Sequence, residues 1–242
     1  MAAGMFFTCF SQLATAGIAV PFQAVYEVTI NGKPRIETRI SLVKQGEQWL
    51  FESRSKGTKG LARMLKVSTS ESSVGQWNDE QFVQTEFQHQ SRLAGSGNQW
   101  TASFDWSSNQ VTTRHEDGES VLQVSAGTVD PMSLTLALRS QLTRDLQTFS
   151  VSVVDETEIK VYDFRADEAE QLQTALGCFE VVAVHRVREN SKRYSAGWYA
   201  SELDYMPLRL KHGKQGGKEF EMKIKSLTMD GEDISGLETC PS

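Results

Sequence analysis

A period-two alternation of apolar and polar residues runs along most of the chain, and residues 22–30 show it first. Every second position there is apolar: Phe22, Ala24, Tyr26, Val28 and Ile30. Because successive side chains of a strand point to opposite faces, this pattern predicts a β-strand with one buried face. Asn31-Gly32 follows and favours a two-residue hairpin turn, which needs positive φ at both positions. Residues 22–51 are therefore predicted to form a three-stranded antiparallel meander.

The same rule predicts further strands after this meander. They are expected at residues 67–77, 82–89, 100–106, 111–113, 121–124, 149–154, 159–164, 179–187, 194–200, 208–211 and 220–229. Turn-forming residues recur about every 8–12 positions, which is typical of a large antiparallel sheet or barrel. We predict an all-β fold, a strongly curved antiparallel sheet or incomplete barrel with one helix packed on or in it. Residues 20–242 are predicted to form a single β-rich domain.

One longer segment breaks the alternation. Asp130-Pro131 provides an N-cap acid and a proline at the first helical position, which predicts the start of a helix. Leu134, Ala137, Leu138 and Leu142 then share one face at helical spacing. The helix is predicted to end near Arg144 and to cover the sheet. A shorter helical turn is predicted over residues 60–66.

The N-terminal 19 residues have the pattern of an export signal. No charged side chain precedes Glu27, residues 5–18 are largely apolar, and Gly17-Ile18-Ala19 forms a small-x-small cleavage site. Residues 1–19 are therefore predicted to be a signal peptide, the alternative being a buried N-terminal helix. The apolar stretch is shorter than the roughly 20 residues that span a bilayer, so we do not expect an integral membrane protein after cleavage.

Cysteine usage is compatible with an oxidising compartment. Removal of the signal would take Cys9 and leave Cys178 and Cys240, an even pair. A disulfide between them would tie the C-terminal tail to the strand near Phe179. Two free thiols are the alternative, and the sequence does not distinguish them.

The balance of charge limits the classes of partner. The chain has 31 acidic and 25 basic residues, a net charge of −6. Binding to nucleic acid requires a basic face, so nucleic acid is not expected as a partner. The same sign disfavours docking on anionic lipid.

No motif for catalysis or cofactor binding is present. The four histidines, His89, His115, His185 and His212, do not have metal-ligand spacing, and neither a nucleophile elbow nor a phosphate-binding loop occurs. No cofactor or metal is predicted. Carboxylates in strands, such as Glu27 and Glu86, leave open a pair acting on glycans.

Large apolar residues provide the candidate ligand site. We predict that Trp49, Trp106, Leu134, Leu138 and Trp198 line a concave face covered by the helix, where an acyl chain or a sugar ring would fit. Arg139 or Lys59 could meet an anionic head group. The alternative is that these residues fill an ordinary core.

Several short segments, in order, carry a family resemblance. They are residues 21–26 (PFQAVY), 57–62 (GTKGLA), 130–134 (DPMSL), 174–177 (TALG) and 198–209 (WYASELDYMPLR). With them the chain resembles the bacterial exported proteins grouped as domain-of-unknown-function family 3108. The resemblance implies a signal peptide, a periplasmic or envelope location, and a curved antiparallel sheet around a helix. It implies no catalytic residues.

Three functions follow as hypotheses. The first is a non-enzymatic periplasmic protein of a Gram-negative-like envelope that binds a lipid or another hydrophobic or amphipathic component. The second is an enzyme acting on envelope glycans, which requires two converging carboxylates. The third is a structural adaptor that pairs with a partner through an exposed sheet edge.

Overall fold

Strands account for most of the structure, a computed structural model that describes residues 20–78, 81–93, 95–189 and 191–241. The predicted signal peptide, residues 1–19, lies outside these residues. The strands are β1 (Phe22–Ile30), β2 (Lys33–Gln45), β3 (Gln48–Gly57), β4 (Ser68–Asn78), β5 (Gln81–Leu93), β6 (Ser96–Asp105), β7 (Gln110–His115), β8 (Gly118–Gln123), β9 (Thr148–Val154), β10 (Ile159–Thr174), β11 (Gly177–Val187), β12 (Arg193–Ala200), β13 (Met206–Lys214), β14 (Glu219–Met229) and β15 (Glu232–Asp233). The helices are α1 (Gly60–Met64) and α2 (Leu134–Leu142), with a 3-10 turn at Ser201–Leu203.

All strands belong to one antiparallel sheet, built from two meanders. Strands β1 to β8 pair in sequence, as do β9 to β14, and β14 then pairs with β1 from Phe22↔Met229 to Ile30↔Phe220. The sheet is not closed, so β8 and β9 are its two edges. This confirms the predicted all-β fold with a curved antiparallel sheet. At the first turn, Asn31 and Gly32 have φ of 50° and 72°, as the predicted hairpin requires.

The segment between β8 and β9 occupies the gap between the two edges. Val129 donates its N–H to Ser152 O at 2.9 Å, and Val154 donates to Val129 O at 2.8 Å, so this segment pairs with β9. At the end of β9, Glu156 accepts bonds from Thr113 Oγ1 at 2.5 Å and from Asn98 Nδ2 at 2.8 Å. These donors lie in β6 and β7, so their bonds to Glu156 show that the sheet curves until its two halves meet.

Helix α2 lies between the two halves and packs on both. Met132 and Leu136 belong to one apolar cluster, with Phe22, Tyr26 and other residues mainly from β1–β8 and β14. Leu138 and Leu142 belong to a second cluster, formed mainly by β9 to β12.

The helix is shorter than predicted at both ends. Residues 131–133 form a turn closed by Leu134 N–H to Asp130 O at 3.1 Å, and helical structure ends at Leu142 rather than near Arg144. Asp130 still accepts a backbone hydrogen bond near the start of the helix, as predicted, because its Oδ1 accepts the Ser133 N–H at 2.7 Å.

Strand β10 is longer than predicted. It continues from Phe164 to Thr174, with a register shift between Ala166 and Ala169 where it pairs with β11. Most side chains beyond Phe164 are polar, so the alternation that marks a half-buried strand disappears there.

A disulfide joins Cys178 to Cys240, with the Cα atoms 5.0 Å apart. Cys178 N–H also donates to Leu237 O at 2.7 Å. The C-terminal tail is therefore attached to the start of β11. No helix of the described residues is long and apolar enough to cross a membrane.

Candidate functional site

An apolar groove runs between helix α2 and the half of the sheet formed by β10 to β14; we call it the α2 groove. Its volume is about 370 Å³, at the lower end of the range for small-molecule sites. Most of the lining side chains are aliphatic or aromatic. The lining residues are Val28, Leu134, Thr135, Leu138, Tyr162, Phe164, Val184, Arg186, Ser195, Ala196, Gly197, Tyr199, Leu210, Lys211, His212, Phe220 and Met222.

Strand register explains why these residues share one surface. Val184 pairs with Gly197, Gly197 with Leu210, Leu210 with Met222, and Met222 with Val28. Residues paired across adjacent strands point to the same face, so one row of side chains crosses five strands. Position 197 requires glycine, since a Cβ there would lie 2.6 Å from the Tyr199 ring, which covers this point of the row. The row forms the floor of the groove, and Leu134 and Leu138 form its helical wall.

Basic side chains gather where the groove meets the ends of β11 and β12. We call Arg186, Arg188, Arg193 and His212 the rim cluster. Arg186 stacks over the Tyr162 ring at 3.3 Å. Arg188 Nη2 donates to Ser195 Oγ at 3.1 Å, and Ser195 Oγ lies 2.8 Å from His212 Nδ1.

The positive charges of the rim cluster are not balanced by carboxylate partners. In the part of the chain that the structure describes, no carboxylate forms an ion pair with its three arginines, and Arg188 Nη1 is buried without a hydrogen-bond partner. Burial, followed by repulsion from Arg188, Arg193 and Arg186, lowers the pKa of His212. Burial and repulsion from its arginine neighbours also lower the pKa of Arg188. Such a site favours an anion.

A second cavity, of about 650 Å³, lies on the other side of α2 and is of mixed polarity. Trp106, Phe82 and Leu136 contribute its apolar surface. Trp106 Nε1 donates to Gln84 O at 2.7 Å. This cavity lies where the segment between β8 and β9 fills the gap in the sheet. Many of the atoms that line it are therefore backbone atoms or belong to small polar side chains.

A buried polar cluster fixes the approach to α2. Asp130 Oδ2 accepts from Ser73 Oγ at 2.6 Å and from Ser133 Oγ at 2.8 Å, and all three side chains are almost fully buried. Burial raises the pKa of Asp130 to about 6, opposed by the hydrogen bonds from Ser73 and Ser133. The cluster ties the start of the helix to β4.

The predicted ligand residues are divided among several places. Leu134 and Leu138 line the α2 groove, and Trp106 lines the second cavity. Arg139 is a partly buried residue of α2, where its Nε donates to Asp204 O at 2.7 Å and its guanidinium lies 5.7 Å from the Phe22 ring centroid. Burial lowers the pKa of Arg139. Arg139 therefore lies near the groove without lining it.

The remaining three lie elsewhere. Trp49 is 7% exposed and belongs to the core. Lys59 is exposed and precedes α1. Trp198 lies on the opposite face of β12 from Gly197 and Tyr199; its Nε1 donates to Glu170 at 2.6 Å, and Arg209 stacks on its ring at 4.7 Å.

The rim cluster was not among the residues predicted from sequence. Residues 185–193 read HRVRENSKR, and this density of basic residues around one turn was the available signal. Strand register then brings His212 beside Ser195.

The carboxylates that were proposed as a catalytic pair do not converge. Glu27 lies in β1 and Glu86 in β5, with three strands between them. At about 4.8 Å per strand their separation along the sheet is about 19 Å, whereas glycosidases need about 5–9.5 Å. Both alternate with the inward residues Tyr26 and Phe87, so both lie on the outer surface of the sheet.

A third cavity, of about 570 Å³, is polar and crosses β3 to β7. Two of its three carboxylates are paired: Glu52 with Arg54 and Glu71 with His89, each at 2.9 Å, and Glu116 is the third. No group of three or more potential metal ligands occurs among the described residues.

Comparisons with known proteins agree with this architecture. The family model described as "Protein of unknown function (DUF3108)" matches residues 23–225. A search of curated proteins returns no match.

Solved structures with similar folds include a β-barrel-like protein of the DUF1849 family from Brucella abortus. It shows 8% identity and a TM-score of 0.57, with 87% of this chain and 98% of that protein covered. A candidate lipoprotein from Parabacteroides distasonis follows, at 9% identity, TM-score 0.36 and coverage of 87% and 96%. A candidate exported protein with a YmcC-like fold from Bacteroides fragilis shows 7% identity and a TM-score of 0.32, with 86% of this chain and 95% of that protein covered. The likeness to the Brucella protein concerns the fold alone, and the other two are too distant to support an inference.

Proposed function

The chain belongs to the DUF3108 family of proteins of unknown function, and from its groove we propose that it is a non-enzymatic carrier of an amphipathic component of the bacterial envelope. The observation that carries this proposal is the α2 groove, an apolar channel with the unpaired rim cluster at one end. An apolar chain would bury its surface against Leu134, Leu138 and the sheet floor. An anionic head group would meet Arg186 and its neighbours.

The proposed location is a periplasm. The disulfide between Cys178 and Cys240 supports it, because disulfides persist in oxidising compartments. The export signal predicted for residues 1–19 points the same way.

Observations on the two alternatives favour the carrier. The enzyme hypothesis loses its named pair because Glu27 and Glu86 lie on distant strands of the outer surface. The adaptor hypothesis retains one feature, the edge strand β8, which pairs only with β7 within the described residues. Strand β8 has six residues and includes Glu119, and short charged edges disfavour strand addition.

The first prediction concerns filling of the groove. Leu134→Trp places a large ring on its helical wall, so a fluorescent fatty acid titrated into the protein should bind at least about tenfold more weakly, a loss of about 1.4 kcal/mol. Leu93→Trp is the matched control, because Leu93 is 57% exposed and lines none of the three cavities. Equal affinity of both variants would remove the groove as the binding site.

A further inference from the structure

Three apolar side chains in and directly after helix α1 are exposed to solvent. Leu61 is 65% exposed, Met64 71% and Leu65 38%. Single exposed apolar residues are ordinary on protein surfaces, whereas a cluster marks an interaction site. These three follow one another in the connection between β3 and β4.

The backbone beneath this cluster is fixed. Ala62 is the buried member of α1, and a Cβ on Gly57 would lie 2.2 Å from Ala62 O, so the helix packs directly on the end of β3. Gly57 N–H donates to Val67 O at 2.8 Å, and Val67 N–H donates to Ala62 O at 3.0 Å. The fold therefore holds the apolar side chains outward in a defined place.

The surrounding charge is uniformly positive. Between Glu52 and Glu71 the chain contains no acidic residue and five basic ones: Arg54, Lys56, Lys59, Arg63 and Lys66. This block occurs in a chain whose net charge is −6. The negative total thus conceals a basic region beside the exposed apolar cluster.

Topology extends the basic region. In an antiparallel meander alternate connections lie at the same end, so residues 58–67, 31–32, 215–218 and 188–192 are neighbours along one end of the sheet. The last two contribute Lys218, Arg188 and Lys192, with Glu189 as the only acid of the four connections. The α2 groove has its rim cluster at this same end.

Three connections at the opposite end, at residues 46–47, 201–205 and 230–231, contain four acidic residues and no basic one: Glu47, Glu202, Asp204 and Asp230. At the α1 end, acidic connections occur near the two edges of the sheet, at residues 116–117 and 155–158. The basic region is therefore the arc of that end from residues 58–67 to 188–192.

We propose that α1 and the basic connections beside it dock on a bilayer surface that contains anionic lipids. Leu61, Met64 and Leu65 enter the boundary between head groups and acyl chains, while Lys59, Arg63 and Lys66 stay at the lipid phosphates. Their long stems suit this position, because basic side chains extend from apolar surroundings towards a polar layer. This proposal does not depend on the proposed cargo, although docking would turn the mouth of the α2 groove towards the membrane.

Vesicle flotation with the exported full-length protein tests the proposal. We expect binding to vesicles of phosphatidylethanolamine with phosphatidylglycerol. Each basic residue near anionic lipid should strengthen this binding about fivefold. Binding should therefore be at least about tenfold weaker to phosphatidylcholine vesicles, and also at about 0.5 M salt, which screens the attraction. Leu61→Ser with Met64→Ser should weaken binding to anionic vesicles by at least about tenfold. Lys59→Gln, Arg63→Gln and Lys66→Gln together should weaken it by about a hundredfold.

The matched control is Leu237→Ser, because Leu237 is also a leucine with 65% exposure but pairs with Cys178 at the end of the sheet opposite to α1. It should bind vesicles as the unaltered protein does. Absence of binding to anionic vesicles would overturn the proposal and would leave an acidic protein as the competing occupant. Equal binding by the α1 variants and the control would also overturn it. Leu134→Trp should still float, so loss of fatty-acid binding and loss of docking are separable.

Discussion

At the residue scale, the rim cluster is the most distinctive group in the α2 groove. Burial, followed by repulsion from Arg188, Arg193 and Arg186, lowers the pKa of His212. None of the three arginines has a carboxylate partner in the described part of the chain. Like charges without a counter-ion are unfavourable. A bound anion would relieve this repulsion, so we expect these residues to select the head group.

A substitution at Arg186 tests head-group selection. Arg186→Gln should weaken binding of a fluorescent fatty acid by about tenfold, since a charge-assisted hydrogen bond contributes about 1.5–3 kcal/mol. Binding of the corresponding fatty alcohol should be unchanged. Arg165→Gln is the control, because Arg165 is exposed and already pairs with Asp167. Equal losses for acid and alcohol would assign Arg186 a packing role only.

Asp130 is the second informative residue. Burial raises its pKa from 3.8 to about 6 in the folded state, so the folded protein retains a proton that the unfolded chain loses between these pH values. The stability linked to this proton is fully present below about pH 4 and is lost as pH rises through about 6. The loss at neutral pH amounts to about 3 kcal/mol at most.

The difference between the unaltered protein and Asp130→Asn should therefore depend on pH. Urea unfolding from pH 4 to pH 7 should show the unaltered protein losing up to about 3 kcal/mol relative to the variant. Asp105→Asn serves as the control, because hydrogen bonds from Ser107 and Ser108 lower the pKa of Asp105 to about 2. The stability linked to Asp105 is lost only as pH falls below about 4, so its variant should run nearly parallel to the unaltered protein from about pH 4 to pH 7. Parallel pH profiles for the protein and Asp130→Asn would contradict this account.

At the element scale, strands with one buried face and one wet face were predictable from sequence. In residues 22–30 every second side chain from Phe22 is apolar, and β1 occupies all nine positions. Strand β10 was predicted only to Phe164 because its continuation is largely polar and is held by pairing with β11. Long-range pairing of this kind leaves no local pattern.

The candidate site was predictable only in part. Helical spacing correctly placed Leu134 and Leu138 together, because a helix fixes which residues share a face. Trp198 and Tyr199 are adjacent aromatics on opposite faces of β12, and alternation alone does not say which face is concave. Tyr199 lines the groove, whereas Trp198 lies outside it. The rim cluster combines β11, β12 and β13, so its assembly depends on tertiary structure.

The C-terminal tail gives a prediction at this scale. The disulfide closes a loop between residues 62 positions apart, and loop-entropy arguments predict about 2–4 kcal/mol of stabilisation. Dithiothreitol should therefore lower the unfolding midpoint, and Cys178→Ser with Cys240→Ser should match the reduced protein. If reduction leaves the midpoint of the unaltered protein in place, the bond does not stabilise the fold.

At the scale of the whole molecule, an open antiparallel sheet wraps around a helix that divides its interior. The helix leaves an apolar groove on one side and a mixed cavity on the other. Basic connections lie beside α1 along one arc of a sheet end, and acidic connections lie near the two edges of the sheet at that same end. Net charge alone disfavoured contact with anionic lipid, but the distribution of charge allows it.

The most direct test of the carrier account is native mass spectrometry of the protein purified from the periplasm of an exporting host. We predict a bound anionic amphiphile, visible as a discrete added mass that is lost from Leu134→Trp and kept by Leu93→Trp. Every preparation showing only the ligand-free mass would contradict the account.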